Sequence, residues 1–217
     1  MFNSMMFKDR TEAAHMLAEK LKKYKKDGVV VALPRGGVPL GYIIAQELGL
    51  PLDIILSKKI GYPFNKEFAI GSVSLQGRII NEDIPVTREY IEEETARIRK
   101  SLKEKYKLYM GDRLPINPKN KNVIIVDDGI ATGNTMLATI ELIKKSNPGR
   151  IIVATPVAPP DSIQKISEEV DEVVCLSSPE FFIGVSQFYE NFEQVNDETV
   201  IQLLKKSNNR KLETQIR

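Results

Sequence analysis

The run Val123-Ile124-Ile125-Val126-Asp127-Asp128-Gly129-Ile130-Ala131-Thr132-Gly133-Asn134-Thr135 constrains this chain more than any other stretch. Its β-branched start reads as a buried strand, and two acids, a loop of small residues and a helix start follow. In an open α/β sheet that is the carboxyl end of a strand, where ligands bind. The loop from Gly129 to Thr135 can turn successive backbone N–H groups inward, the threonine hydroxyls add donors, and the following helix N-terminus favours an anion. A phosphate fits there. The loop is not a P-loop, because no Gly-Lys-Ser/Thr follows the first glycine at the required spacing. Two adjacent carboxylates ahead of a phosphate cradle can accept hydrogen bonds from a diol or hold a hydrated Mg²⁺.

The rest of the chain supplies the setting. Ala13, Ala14, Leu17, Leu21 and Tyr24 recur at helical spacing before Gly28, so the first element is an amphipathic helix. Val29 to Leu33 reads as a buried strand, followed by Pro34-Arg35-Gly36-Gly37 and a helix ending near Gly49. Leu52 to Leu56 is the next strand, and Phe68 to Leu75 with Arg78 to Ile80 reads as a hairpin turned at Gln76-Gly77. Tyr90, Ile91, Ile98, Leu102, Tyr106 and Tyr109 mark a long charged helix from Thr87 to Tyr109, closed by Gly111. Strands at Val123–Val126, Ile151–Thr155 and Val173–Leu176 then alternate with helices at Thr135–Lys145 and Ser162–Glu169. This alternation predicts an α/β fold: a doubly wound, mostly parallel sheet with helices on both faces.

Composition narrows the chemistry. With 31 basic and 29 acidic residues there is no global field to draw the chain to nucleic acid or anionic lipid. The basic tail from Lys205 to Arg217 reads as a solvated, partly frayed end. The single cysteine, Cys175, reads as a reduced core residue, and the single histidine, His15, leaves almost no scope for a Ser-His-Asp or Cys-His mechanism. The start, with Asn3, Lys8, Asp9 and Arg10, lacks the apolar stretch of a signal peptide, and no run is long enough to span a bilayer. A cytoplasmic location without membrane attachment is expected.

The Val123 to Thr135 run resembles the signature with which type I phosphoribosyltransferases bind phosphoribosyl pyrophosphate (PRPP). The resemblance implies that Asp127 and Asp128 meet the ribose 2′- and 3′-hydroxyls. It also implies that Gly129, Ile130, Ala131, Thr132, Gly133, Asn134 and Thr135 hold the 5′-phosphate. Leu33-Pro34-Arg35-Gly36-Gly37 resembles the same family's pyrophosphate loop. Arg35 would supply fixed charge there, while Gly36 and Gly37 let the backbone approach the leaving group. The family often carries a cis peptide in this loop, expected here near Arg35-Gly36.

Ser57 to Glu67 falls where the family has a mobile loop that closes over the reacting centre. Lys58 and Lys59 would meet pyrophosphate oxygens there, though two exposed lysines at a strand end are also ordinary surface. Ser178-Pro179-Glu180-Phe181-Phe182-Ile183 looks like the base segment of purine-type members, with Phe182 stacking on the base and Ile183 offering its backbone; an aromatic here also fits a core. Hypoxanthine-guanine enzymes have an aspartate where this chain has Ala131.

The resemblance covers about 29–192 and implies one phosphoribosyltransferase domain over residues 1–217. It would carry a helical insertion at about 87–110, a packing or dimer helix, and a small hood with the base site at about 177–192. The implied function is Mg²⁺-dependent transfer of the 5-phosphoribosyl group from PRPP to a nitrogen acceptor, such as a heterocyclic base, with release of pyrophosphate. Mg²⁺ would be held by Asp127 and Asp128, directly or through water, and the catalytic set would be Arg35, Asp127, Asp128, Lys58 and Lys59. The implied partners are PRPP, the acceptor and a second copy in a homodimer, with no nucleic acid and no membrane. The alternative is a PRPP-sensing regulator that keeps the fold without turnover.

Overall fold

The computed structural model describes residues 6–25 and 27–215, with side chains described as far as residue 208. In chain order the elements are α1 (Arg10–Lys20), β1 (Val29–Ala32), α2 (Gly37–Leu48), β2 (Leu52–Ile54), β3 (Ser57–Tyr62), β4 (Asn65–Ser74), β5 (Arg78–Ile80) and α3 (Arg88–Met110). They continue with β6 (Asn122–Val126), α4 (Asn134–Lys144), β7 (Arg150–Val157), α5 (Pro160–Ser167), β8 (Glu172–Ser177) and α6 (Asp197–Gln215). Five strands form a parallel sheet in the order β2-β1-β6-β7-β8.

The sheet is buried on both faces, which is why its strands read as continuous apolar runs. Val30, Ala32, Ile124, Val126, Ile152 and Ala154 point into the layer that also contains Leu17 of α1 and Leu40 and Ile44 of α2. Their neighbours Val29, Val123, Ile125, Ile151 and Val153 point the other way, against Ile140 of α4 and Ile166 of α5. The chain leaves β1 toward β2 on one side, and leaves β6 toward β7 on the other. The crevice at the carboxyl ends of β1 and β6 is therefore the topological switch point of the sheet.

Three features differ from the sequence reading. The Ser57 to Glu67 segment is not an irregular loop. It is β3, a tight turn and the start of β4, in an antiparallel sheet ordered β3-β4-β5. Ile60, Ile70 and Val73 are fully buried in it, so the pairing is anchored by side chains contributed from both strands. The Tyr90 hydroxyl of α3 donates to the Gly61 carbonyl at 2.6 Å and ties the helix to this sheet.

The second concerns α3, expected as a packing or dimer helix, whose apolar stripe takes the packing role. Thr95, Ile98, Leu102, Tyr106, Tyr109 and Met110 are buried within this chain. The third is α6, unanticipated by the sequence reading, which seats Val200 and Leu204 in the core beside α2 and α3. The basic tail is thus helical as far as Gln215; Ile216 and Arg217, like Met1 to Met5 at the start, lie outside the described residues. Cys175 on β8 is partly buried, and burial pushes its thiol up to about 11.

Candidate functional site

The phosphate-type loop begins where β6 ends. The Ile130 amide donates to the Val157 carbonyl at 2.9 Å, which ties the loop to β7. The amides from Ala131 to Thr135 donate to no acceptor among the described residues, and Ala131, Thr132, Asn134 and Thr135 are exposed. Gly133 stands at φ +79, a left-handed conformation that a side chain would resist, and it opens α4 immediately afterwards. The result is an open arc of N–H groups at a helix N-terminus, suited to an anion.

The second loop lies alongside. The Leu33 amide donates to the Val126 carbonyl at 2.9 Å, extending the β1–β6 pairing by one residue, and the Gly37 amide closes back on the Leu33 carbonyl at 3.0 Å. A cis peptide joins Pro34 to Arg35, one residue earlier than expected; Gly36 already has helical backbone as the N-cap of α2. A Cβ on Gly37 would lie 2.5 Å from the Val126 carbonyl oxygen, so only glycine lets α2 start this close to β6. The Arg35 guanidinium reaches Asp197 of α6 at 3.6 Å in an exposed pair. Asp197 also accepts from the Tyr109 hydroxyl at 2.7 Å, and that bond first, then Lys105 and Arg35, holds its carboxyl below the usual range.

Asp127 and Asp128 stand between the loops. Asp127 accepts from the Asp128 amide at 2.9 Å. Burial, and then the Asp128 carboxylate, hold the Asp127 carboxyl well above the ordinary carboxylate range. Asp128 is held from three directions. Arg10 of α1 donates to its Oδ2 at 2.8 Å, the Tyr189 hydroxyl donates to its backbone carbonyl at 2.7 Å, and its carboxylate faces the bare Cα of Gly36. Burial, and then Asp128, push the Tyr189 hydroxyl up.

The segment after β8 folds back over these residues. Phe182 stacks on Phe188 with ring centroids 5.3 Å apart and packs against the core, so in this state one aromatic face is already used inside the chain. Ile183 is exposed, and its amide donates to the Gln187 side chain at 3.4 Å. Val185 packs against Gly129 so closely that a Cβ on that glycine would lie 2.3 Å from its Cγ1. Arg10, Arg35, Gly36, Asp128, Val185 and Phe192 are among the residues lining an open cleft of about 480 Å³.

Arg35, Gly36, Gly37, Asp127, Asp128 and the loop from Gly129 to Thr135 therefore share one crevice. Lys58 and Lys59 are not drawn into it. Lys59 pairs across the hairpin with Glu67 at 2.7 Å, and Lys58 is exposed with no charged partner among the described residues. His15 pairs with Glu47 on the surface of α1 and α2. The sequence reading missed Arg10, Val185, Tyr189 and Asp197. No local signal marks them, since each acts on a residue distant in the chain: Arg10 and Asp128 are 118 positions apart.

A family model described as the phosphoribosyl transferase domain matches residues 7–193. The chain belongs to that family. A Mycobacterium tuberculosis (strain ATCC 25618 / H37Rv) protein, named provisionally as a phosphoribosyl transferase, is 33% identical over 213 residues, covering 92% of this chain and 46% of that protein. The chain thus spans about half the length of that curated relative. The crystal structure of TT1426 from Thermus thermophilus is similar with a TM-score of 0.82 at 36% identity, covering 93% of this chain and 99% of that one. The phosphoribosyl transferase match begins before Arg10 and ends after Phe192, so the contacts that close over Asp128 lie inside the family domain. Asp197, the partner of Arg35, lies outside it.

Proposed function

We propose that the chain transfers the 5-phosphoribosyl group of PRPP to a nitrogen of a heterocyclic base and releases pyrophosphate. The observation that carries this reading is the pairing of two anion-suited loops on the adjacent strands β1 and β6, with an acid pair between them. In the reaction the bond from C1 of the ribose to pyrophosphate breaks, a C1–N bond forms, and the nitrogen gives up a proton.

Asp127 and Asp128 hold the ribose hydroxyls, and the arc from Gly129 to Thr135 holds the 5′-phosphate. Arg35, Gly36 and Gly37 take the pyrophosphate, whose charge grows as it leaves. To do so Arg35 gives up Asp197, an exposed contact worth under about 1 kcal/mol. Phe182 offers a stacking face and Ile183 its backbone to the base. Lys58 and Lys59 reach the pyrophosphate only if the β3–β4 hairpin bends toward the crevice and Lys59 leaves Glu67. No nucleophilic side chain is needed, which fits a chain with one cysteine and one histidine.

The donor set fits Mg²⁺ that arrives with a diphosphate. Asp127 and Asp128 would hold it, directly or through water, and among the described residues no cluster of three His, Cys, Asp or Glu side chains forms a fuller cage. When bound, Mg²⁺ supplies charge neutralisation for the leaving pyrophosphate. The reading sets the reaction in the cytoplasm; among the described residues no helix is long and apolar enough to cross a membrane. A homodimer rests on the family resemblance alone, since the α3 stripe is covered within the chain.

The test is PRPP consumption and pyrophosphate release with Mg²⁺ against a panel of purines, pyrimidines and related heterocycles. Turnover with at least one base supports the transferase. PRPP binding with no turnover on any base would favour the PRPP-sensing regulator instead.

A further inference from the structure

We infer that Arg10 is a positioning residue for PRPP: it holds the Asp128 carboxylate in its binding orientation and joins it to the segment that covers the base site. The inference rests on the PRPP reading of the acid pair. Nε and one terminal nitrogen of Arg10 each lie 2.8 Å from Asp128 Oδ2, so both of these contacts fall on Oδ2 and neither on Oδ1. The other terminal nitrogen donates to the Glu193 carbonyl at 2.7 Å, and the guanidinium lies 3.8 Å from the centre of the Phe192 ring. Both side chains of the pair are nearly buried, at 12% and 13% exposed. A planar fork with donors on three edges and a stacking face is what this position uses, and a lysine ammonium offers none of that geometry.

The surrounding backbone makes Arg10 a junction rather than a lone pair. The Phe7 amide donates to the Phe188 carbonyl at 2.8 Å, the Glu190 amide to the Phe7 carbonyl at 2.8 Å, and the Asn191 amide to the Lys8 carbonyl at 2.9 Å. The residues before α1 are thus stitched to the strap after β8, and Tyr189 of that strap holds the Asp128 carbonyl. Arg10 closes the circuit from strap to carboxylate. It also lowers the negative charge that two adjacent acids would present to a polyanionic ligand.

The experiment is a double-mutant cycle on PRPP affinity in the presence of Mg²⁺, by calorimetry, with wild type, Arg10→Gln, Asp128→Asn and the double variant, plus Arg10→Lys. Arg10→Gln should weaken PRPP by at least about tenfold, because it strands a nearly buried carboxylate. Its effect should vanish in the Asp128→Asn background, since Arg10 acts through that carboxylate. Arg10→Lys should keep the fold and bind PRPP between wild type and Arg10→Gln, which keeps the test open if the glutamine variant does not fold. Equal losses in both backgrounds would mean Arg10 is merely structural, and unchanged or tighter binding by Arg10→Gln would mean it does not position Asp128; either overturns the inference. If the wild type itself does not bind PRPP, the reading of the acid pair falls and takes this inference with it.

Discussion

The carboxylate of Asp128 occupies the space a side chain on Gly36 would need: a Cβ there would lie 2.0 Å from Oδ2 and 2.4 Å from Cγ. The loop after β1 and the acid pair after β6 touch through that missing atom. Gly36→Ala must therefore move the loop or the carboxylate. A misplacement of about 1 Å costs roughly a hundredfold in kcat/KM, and that is the loss expected here, with the far-ultraviolet circular dichroism of the fold retained. A variant with wild-type kcat/KM would show that the contact has no part in PRPP handling.

Arg35→Ala should lower turnover more than it lowers PRPP affinity, because leaving-group charge grows toward the transition state. Loss of one such contact costs about 3 kcal/mol, or roughly a hundredfold in kcat. Asp197→Asn, which frees Arg35 from an exposed pair, should change kcat by less than about fivefold. Steady-state pyrophosphate release measures both.

Hypoxanthine and guanine should be poor acceptors. Ala131 offers no acid to purine N7; its carbonyl accepts from the Ser162 hydroxyl at 2.6 Å. In this state Glu67 on the hairpin is bonded to Lys59, which holds its carboxyl below the usual range. Stacking on Phe182 tolerates many rings, so another heterocycle should exceed both purines by at least about a hundredfold in kcat/KM. Initial rates over a base panel decide this.

Stability should fall at alkaline pH. Burial pushes the Cys175 thiol up to about 11, and burial followed by Glu172 pushes the Tyr24 hydroxyl up to about 12. In the unfolded chain both groups ionise earlier, so their contribution is complete below about pH 8.5 and is lost as pH rises through the folded values. Thermal midpoints measured from pH 8 to pH 11 should decline, and Cys175→Ser should flatten the early part of that decline.

The β6–loop–α4 unit was legible because its signals are local: a β-branched run, two acids, small residues and a helix start occur in order. The doubly wound sheet followed from alternating elements. The β3–β4 hairpin was not legible, because Gly61, Pro63 and Asn65 read as a loop while the side chains that stabilise the pairing, Ile60, Ile70 and Val73, sit on both sides of the turn. The α6 helix was passed over although Val200, Ile201, Leu203 and Leu204 recur at helical spacing and all pack against the core; only its second half is dominated by charged and polar residues. Arg10 was invisible for another reason. Periodicity reports which face of α1 is apolar and says nothing of an ion pair made with a strand end far along the chain.

The central claim is that Asp127 and Asp128 bind PRPP. Calorimetric titration of PRPP with Mg²⁺ into the wild type and into Asp127→Asn/Asp128→Asn tests it most directly. The account predicts saturable binding by the wild type and a loss of at least about a hundredfold in the double variant, where both carboxylates lose charge and acceptor capacity. Equal PRPP affinity in the two proteins would contradict it.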